Sequence, residues 1–353
     1  MKVLALLTDG YGGFGGISQY NRDFCRALAN KYEVHILPRS VDTHTGKLPQ
    51  NVFQYKPFAH KILYFIRALF FVVFRKNDYL YIFCGHLYMA PLAAILAKMF
   101  NYRLWLQVHG IEAWKKPSAL IRWSVEQSDL ITSVSRYTRK ELLRWANIDP
   151  NRVKVIPNTL REQFCYQKKL TTVISNDIFS GKQILLTVSR LNAAERYKGH
   201  DLVINSLPNL LSKFPKLHYV IIGDGDDKER LQTLVTNLDL NKSVHFLGKL
   251  DDQSVVALFH QASLYVMPST GEGFGIVFVE SMACGLPALG GNRDGSVDAL
   301  QDGYLGNITN FSDLEVRIEQ LLRTPVDREK LANQTKQLFG FDKFSQLVLG
   351  VAA

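Results

Sequence analysis

Short runs rich in β-branched and aromatic residues alternate with segments of helical period along nearly the whole chain, and this alternation restricts it to parallel sheets joined by crossover helices. In the first half the expected strands are Lys2 to Thr8, Glu33 to Pro38, Tyr79 to Cys84, Leu104 to His109, Leu130 to Val134 and Val153 to Ile156. Helices such as Ser18 to Ala29, Ala90 to Phe100 and Arg136 to Trp145 fall between them. From Leu160 to Gly181 the pattern lapses into polar and mixed residues, and a fresh series begins with Ile184 to Ser189, Tyr219 to Gly223, Val244 to Leu247 and Leu264 to Pro268. At 353 residues the chain also exceeds what one hydrophobic core organises. The expectation is an α/β chain of two doubly wound, Rossmann-like domains, 1–165 and 166–340, with 341–353 a terminal segment free to return to the first. Ligands of such sheets bind outside the carboxyl ends of the strands, and two sheets in tandem would leave a cleft there.

Charge is divided unevenly. Up to Thr172 there are 25 Lys and Arg against 11 Asp and Glu, and after it 17 against 21. A solvated basic face accounts for this as well as attraction to an anionic membrane or an acidic acceptor does. No helix-turn-helix, zinc-finger or RNP-like pattern accompanies the charge, which argues against nucleic acid. The four cysteines, Cys25, Cys84, Cys165 and Cys284, are spaced for neither zinc, a redox pair nor a disulfide framework, so a reducing, cytoplasmic setting is the simplest reading. The apolar start Val3 to Leu7 is broken at once by Asp9 and a glycine-rich run, which fits a strand and loop and not an export signal.

Ile62 to Phe74 is apolar and largely aromatic apart from Arg67, too short for a span of about 20 residues. At helical spacing His60, Lys61, Arg67 and Arg75 gather to one side, the pattern of a helix lying in an anionic interface; a helix buried against the first sheet is the alternative.

Chemistry-bearing residues sit where the expected strands end. After Thr8-Asp9 the loop Gly10-Tyr-Gly-Gly-Phe-Gly-Gly16 opens a helix, where glycines admit a phosphate and free amides hold it; by itself this loop fits a tight turn equally well. Gly10, Gly12 and Gly15 also match a dinucleotide fingerprint, but the second strand ends in Pro38-Arg39 where that motif needs an acid for the ribose. A stronger signal is Ser269 to Pro287, in which Glu272 and Glu280 are separated by seven residues after a strand. With a helix starting near Phe274, Glu280 lies two turns on, about 10 Å along the axis. One carboxylate can bond a sugar and the other a ribose, with the amides of Phe274, Gly275 and Ile276 facing a diphosphate between them. Two glutamates on a solvated face are the alternative, against which stands the nearly uniform apolar and glycine character of their neighbours. Arg190 and Lys198 follow the first strand of the second series, where they are either ordinary surface cations or the neutralising charge of a diphosphate leaving group. His109, a lone histidine that could be a satisfied core residue, stands beside Gly110 at a strand end, which favours a ligand role in the first domain. Asp224-Gly-Asp226-Asp227 resembles an acidic metal motif, but after a strand it reads better as a turn and helix start, and no metal or other cofactor is expected.

Together these stretches resemble the family 4 retaining glycosyltransferases over nearly the whole chain. The resemblance rests on Gly15-Gly16-x-x-x-Tyr20, His109-Gly110-x-Glu112, Val155-Ile-Pro-Asn158, Ser189-Arg190-Leu191 with Arg196-Tyr-Lys198-Gly-His-Asp201, Gly223-Asp-Gly225, and the Glu272 to Glu280 signature. It implies a GT-B fold, the donor nucleotide on the C-terminal domain and the acceptor on the N-terminal one. Gly15 and Gly16 would approach the diphosphate, Arg190 and Lys198 hold it, Glu280 bind the ribose, and His109 and Glu272, with the Phe274-Gly275-Ile276 backbone, grip the donor sugar. The reading that follows is transfer of a hexose from a UDP- or GDP-sugar with retained configuration, without metal, to a lipid-linked or oligosaccharide acceptor of a cell-surface polysaccharide or lipopolysaccharide; the basic first half and the segment Ile62 to Phe74 motivate its placement on the inner face of a membrane. Two departures stand out: Thr159-Leu160-Arg161 where the family has glycine and soon an acid, and the run Ala288 to Asp298 after Pro287, more polar than in many relatives. A nicotinamide-dependent dehydrogenase and a non-catalytic binding protein of the same fold are the rival readings. The missing ribose acid counts against the first, and the retained charged residues against the second.

Overall fold

The computed structural model describes residues 1–41, 46–75, 79–168 and 181–352. Of the segment expected to part the domains, residues 169–180 lie outside the described residues, as do Lys76 and the side chain of Arg75. The chain divides into two compact units, Met1–Thr159 with Phe341–Ala353, and Leu160–Gly340. The division thus falls after Thr159 and not at 165, because the next residues are tied to the second unit: the Leu160 amide donates to the Phe339 carbonyl, and Phe164 packs on Phe259.

In the first unit the strands are β1 (Lys2–Asp9), β2 (Glu33–Ser40), β3 (Val52–Gln54), β4 (Tyr79–Cys84), β5 (Arg103–Val108), β6 (Leu130–Ser133) and β7 (Val153–Val155). They form one sheet in the order β3-β2-β1-β4-β5-β6-β7, every pairing parallel. Helices cover both faces of such a sheet, which is why Val3 to Leu7 can be apolar without alternation and is wholly buried. β3 is absent from the sequence expectation because it has three residues and a polar end. Its Gln54 side chain clasps the Tyr11 backbone from both sides, accepting from the amide at 2.7 Å and donating to the carbonyl at 2.8 Å.

On one face Phe24 stacks on Phe83 at 4.3 Å and meets Trp105 edge-on at 5.0 Å. The terminal helix Phe341–Val351 closes this face: Phe344 packs edge-on against Tyr20, the Arg26 guanidinium lies 4.0 Å over Phe341, and Asn30 donates to Ser345. The terminal segment therefore belongs to the first unit, held by an aromatic seam.

On the opposite face lies the helix Lys61–Arg75, and here both readings of the segment are half right. Tyr64, Ala68, Phe71 and Val72, at helical spacing, are buried against the sheet. Ile62, Leu63, Ile66, Phe70, Val73 and Phe74 are exposed, so the outward face is apolar as well. The expected cationic side is diminished, because Arg67 bends back over Phe58 at 4.5 Å and donates to the Lys56 carbonyl at 2.6 Å. Among the described residues no helix is long and apolar enough to cross a membrane.

The second unit holds β8 (Gln183–Val188), β9 (Leu217–Ile222), β10 (Val244–Gly248), β11 (Leu264–Met267), β12 (Ala288–Gly291) and β13 (Asn307–Thr309), in the parallel order β10-β9-β8-β11-β12-β13. β12 and β13 escape the sequence because Ala-Leu-Gly-Gly and Asn-Ile-Thr carry little β signal. In each sheet the chain reverses its direction of travel at one place, between β1 and β4 and between β8 and β11, where a doubly wound sheet leaves a crevice at the carboxyl ends of its strands.

All four tryptophans lie in the first unit, so indole fluorescence reports on it alone. Replacing fully buried Phe24 by alanine removes the centre of the aromatic seam and should destabilise that unit by about 3–5 kcal/mol, measured as an earlier fluorescence transition in urea.

Candidate functional site

Each crevice is flanked by residues singled out from the sequence. In the first unit the loop after β1 leads into the helix Gly16–Leu28. Gly15 caps that helix at φ 94°, a left-handed conformation that side chains disfavour, and a Cβ at Gly15 or Gly16 would meet only open space. Both glycines thus leave the helix start approachable.

His109 follows β5 and packs edge-on against Tyr20 at 5.2 Å. Its Nε2 lies 2.9 Å from the Gly85 carbonyl, which can only accept, so Nε2 carries the hydrogen and Nδ1 is left as an acceptor. Burial lowers the imidazole pKa to about 4 against the opposing pull of Glu112, whose carboxylate takes the His109 amide. At neutral pH His109 is therefore an uncharged acceptor. His86, after β4, stands with its ring 6.1 Å from that of His109, and burial lowers its pKa also. The sequence gives no sign of His86, a lone histidine after a strand.

In the second unit Arg190 follows β8, and Lys198 ends the turn Ala193–Lys198. Gly199 comes next at φ 79°, and a Cβ there would strike the Pro268 carbonyl at 2.5 Å. This close approach brings Lys198 against the loop after β11. Its Nζ lies 3.2 Å from Glu195 and 3.6 Å from Glu272, and Glu195 reaches Arg190 at 2.5 Å. Arg190, Glu195, Lys198 and Glu272 so form one chain of alternating charge beside the second crevice. Its two cations differ: the Lys198 side chain is 9% exposed and the Arg190 side chain 76%. Burial pushes the Glu272 carboxyl above its usual range, and the Lys198 ammonium opposes the rise.

The loop from Glu272 ends at Gly275, which caps the helix Ile276–Ala283 at φ 79°. That helix starts at Ile276 and not near Phe274, so Glu280 stands little more than one turn along it. The Phe274 side chain turns inward against Phe339 at 5.8 Å, leaving the backbone of Phe274, Gly275 and Ile276 at the mouth of the helix. Glu280 is buried, accepts from Arg161 Nε at 2.7 Å, and has its carboxyl pKa raised by burial, with Arg161 opposing.

Asp294 holds the loop's shape. Buried to 2% exposure, its Oδ2 accepts from Ser269 Oγ and the Glu272 amide, both at 2.7 Å. Its Oδ1 accepts from the Ser296 amide and hydroxyl at 2.9 and 2.6 Å. This accounts for the polar run after β12. Asp226 and Asp227 are spent structurally, the first on the Ala193 amide at 2.7 Å, the second on Arg196 and Arg230 at the start of the helix Lys228–Asn237. Of the expected residues, the structure gathers Arg190, Lys198 and Glu272 into one cluster, puts Glu280 with Arg161, and places Gly15, Gly16 and His109 in the first unit. Glu195, Asp294 and Arg161 complete these sites without having been expected in them, although the last two lie in the segments that depart from the family's pattern.

Comparison with known proteins follows the same division. The family described as "Glycosyltransferase Family 4" matches residues 14–163, and that described as "Glycosyl transferases group 1" matches residues 171–338. The chain is 26% identical over 345 residues to N-acetyl-alpha-D-glucosaminyl L-malate synthase of Bacillus anthracis, covering 90% of this chain and 87% of that protein. It is 23% identical to the GDP-mannose-dependent monoacylated alpha-(1-6)-phosphatidylinositol monomannoside mannosyltransferase of Corynebacterium glutamicum, covering 93% and 90%. Among solved structures, Anabaena HepE in complex with UDP superposes with a TM-score of 0.76 at 20% identity, over 100% of this chain and 99% of that one. Sucrose-phosphate synthase of Thermosynechococcus elongatus does so at 0.77 and 18% identity, over 100% and 98%. These likenesses establish the GT-B fold, with two Rossmann-like domains.

Asp294→Ala would strand the Ser269 hydroxyl and the Glu272 amide, and should cost the second unit about 3 kcal/mol. Loss of helical circular dichroism on heating, at a lower temperature than in the parent protein, measures it.

Proposed function

The chain belongs to the family 4-like glycosyltransferases, and from that premise we propose that it moves a hexose from a UDP- or GDP-sugar, with retained configuration, onto a lipid-linked or polysaccharide acceptor in cell-surface glycan synthesis. The carrying observation is the charge chain Arg190–Glu195–Lys198–Glu272 beside the crevice of the second unit. A diphosphate entering there takes over from Glu195 the cations that Glu195 now occupies. Arg190, mostly exposed, offers a planar fork to phosphate oxygens, and Lys198 adds a fixed charge from below. As the bond to the sugar breaks, negative charge grows on the leaving phosphate, and these two cations stabilise it in the role a divalent ion would otherwise fill. The amides at the start of the helix Ile276–Ala283 add to that field.

Glu272 and the Phe274-Gly275 backbone hold the donor sugar, and Glu280 the ribose. In the first unit His109 offers Nδ1 to a sugar hydroxyl, and Gly15 and Gly16 admit the diphosphate. The departing phosphate takes the acceptor's proton on the face it leaves, so the configuration is kept without a protein nucleophile. Both bases remain in the reading: one relative is named for GDP-mannose and one structural neighbour holds UDP.

A membrane-bound acceptor suits the first unit. The exposed face of the helix Lys61–Arg75 presents Ile62, Ile66, Phe70, Val73 and Phe74, a surface fit to enter the headgroup boundary, on a unit whose sequence is strongly basic. The protein then works at the cytoplasmic face of an anionic membrane.

Two measurements test this reading. In a thermal-shift screen UDP or GDP should raise the melting temperature and NADH should not, and Arg190→Ala or Lys198→Ala should lower kcat/KM about 100-fold while the donor sugar is still recognised. In flotation with vesicles containing anionic lipid, the parent protein should rise with the vesicles and Phe70→Asp/Phe74→Asp should stay in the dense fraction. Equal flotation of the two would remove the membrane part of the proposal.

A further inference from the structure

Glu280 is a buried acid whose surroundings are unusually well fixed. Its side chain is 4% exposed, and its one bond among the described residues joins Oε1 to Arg161 Nε at 2.7 Å. Arg161 is in turn held by further neighbours. Its Nη1 lies 2.8 Å from Asp252 Oδ2, an oxygen that also accepts from Gln163 Nε2 at 2.9 Å. Its guanidinium carbon stands 4.3 Å over the ring of Phe164, which is itself fully buried against Phe259. A planar cation clamped by an acid at one end and an aromatic face beneath has little freedom to swing, and so it fixes the carboxylate it touches. The second oxygen, Oε2, is left without a bond among the described residues, at a helix whose start faces the crevice.

We propose that Arg161 is a positioning residue for the nucleoside of the donor: by occupying Oε1 it holds Glu280 turned so that Oε2 meets the ribose hydroxyls. This rests on the reading above that Glu280 binds the ribose. The chemistry follows from the need for a strong acceptor. A ribose hydroxyl donates more strongly to a carboxylate than to a neutral carboxyl, and a carboxyl this deeply buried takes up a proton unless a cation opposes it. Burial does raise the Glu280 pKa, and Arg161 is the group that holds it down. Asp252 balances the second half of the guanidinium, so that Arg161 stays engaged whether or not nucleotide is bound.

The test is calorimetric binding of UDP and of GDP, each as the ribonucleotide and as the 2′,3′-dideoxynucleotide, to the full chain and to Arg161→Gln, Arg161→Lys, Glu280→Gln and the double variant Arg161→Gln/Glu280→Gln. Arg161→Gln should weaken ribonucleotide binding about tenfold and leave dideoxynucleotide binding unchanged, so that ribose discrimination falls. Its ribonucleotide binding should also fail at a higher pH than in the parent on acidification, since the carboxyl now protonates earlier. The double variant should bind no worse than Glu280→Gln alone, and Arg161→Lys, which keeps the charge and loses the fork, should recover part of the discrimination. Unchanged or tighter ribonucleotide binding by Arg161→Gln, with full discrimination, overturns the role of Arg161 alone. Full discrimination by Glu280→Gln, or no binding of either diphosphate by the parent, overturns the ribose reading and this inference with it. If Arg161→Gln does not fold, Arg161→Lys decides the matter, because discrimination equal to the parent's would then sink the proposal.

Discussion

A carboxylate taken out of water must find a cation or take up a proton, and the second unit is arranged around meeting that demand twice. Glu272 is met by Lys198, which reaches it because Gly199 lets the following helix press against the end of β11. Glu280 is met by Arg161, drawn in from the segment that opens this unit. In both cases the partner comes from a distant part of the chain, so the two acids pin separate stretches of backbone to one crevice. Buried ion pairs add little to stability and depend on geometry.

The loop between the two acids is shaped by a third, Asp294, on which four donors converge in the interior. It takes the Glu272 amide directly, so the backbone that carries the Glu272 carboxylate is fixed by a buried residue from after β12. The first unit solves the same problem with an uncharged group. His109, buried and donating to the Gly85 carbonyl, is kept neutral and offers one lone pair. One unit therefore supplies paired charges and the other a neutral acceptor.

Apart from its three basic residues the helix Lys61–Arg75 is apolar, and only part of it packs on the sheet while Ile62, Leu63, Ile66, Phe70, Val73 and Phe74 remain exposed. Hydrophobicity that exceeds what the core consumes costs solubility, and it persists where a surface has something apolar to meet. Arg67, bent onto Phe58 and bonded to the Lys56 carbonyl, is drawn away from the middle of that face, so the cationic side suggested by sequence spacing is diminished.

By itself the sequence determined the two parallel sheets, nearly all of their long strands, and the residues at their carboxyl ends, because buried parallel strands must be continuously apolar and their loops must carry whatever polar chemistry there is. Thus Arg190, Lys198, Glu272, Glu280 and His109 were legible as a set, while β3, β12 and β13, short and rich in polar residues or glycine, were not. Only the tertiary structure decided who neutralises whom. Arg161 is 119 residues from Glu280, and the Ser269 bond to Asp294 spans 25, separations across which no local pattern carries information. The same holds for the terminal helix, whose return to the first unit depends on Phe344 meeting Tyr20 in an aromatic seam assembled by the fold.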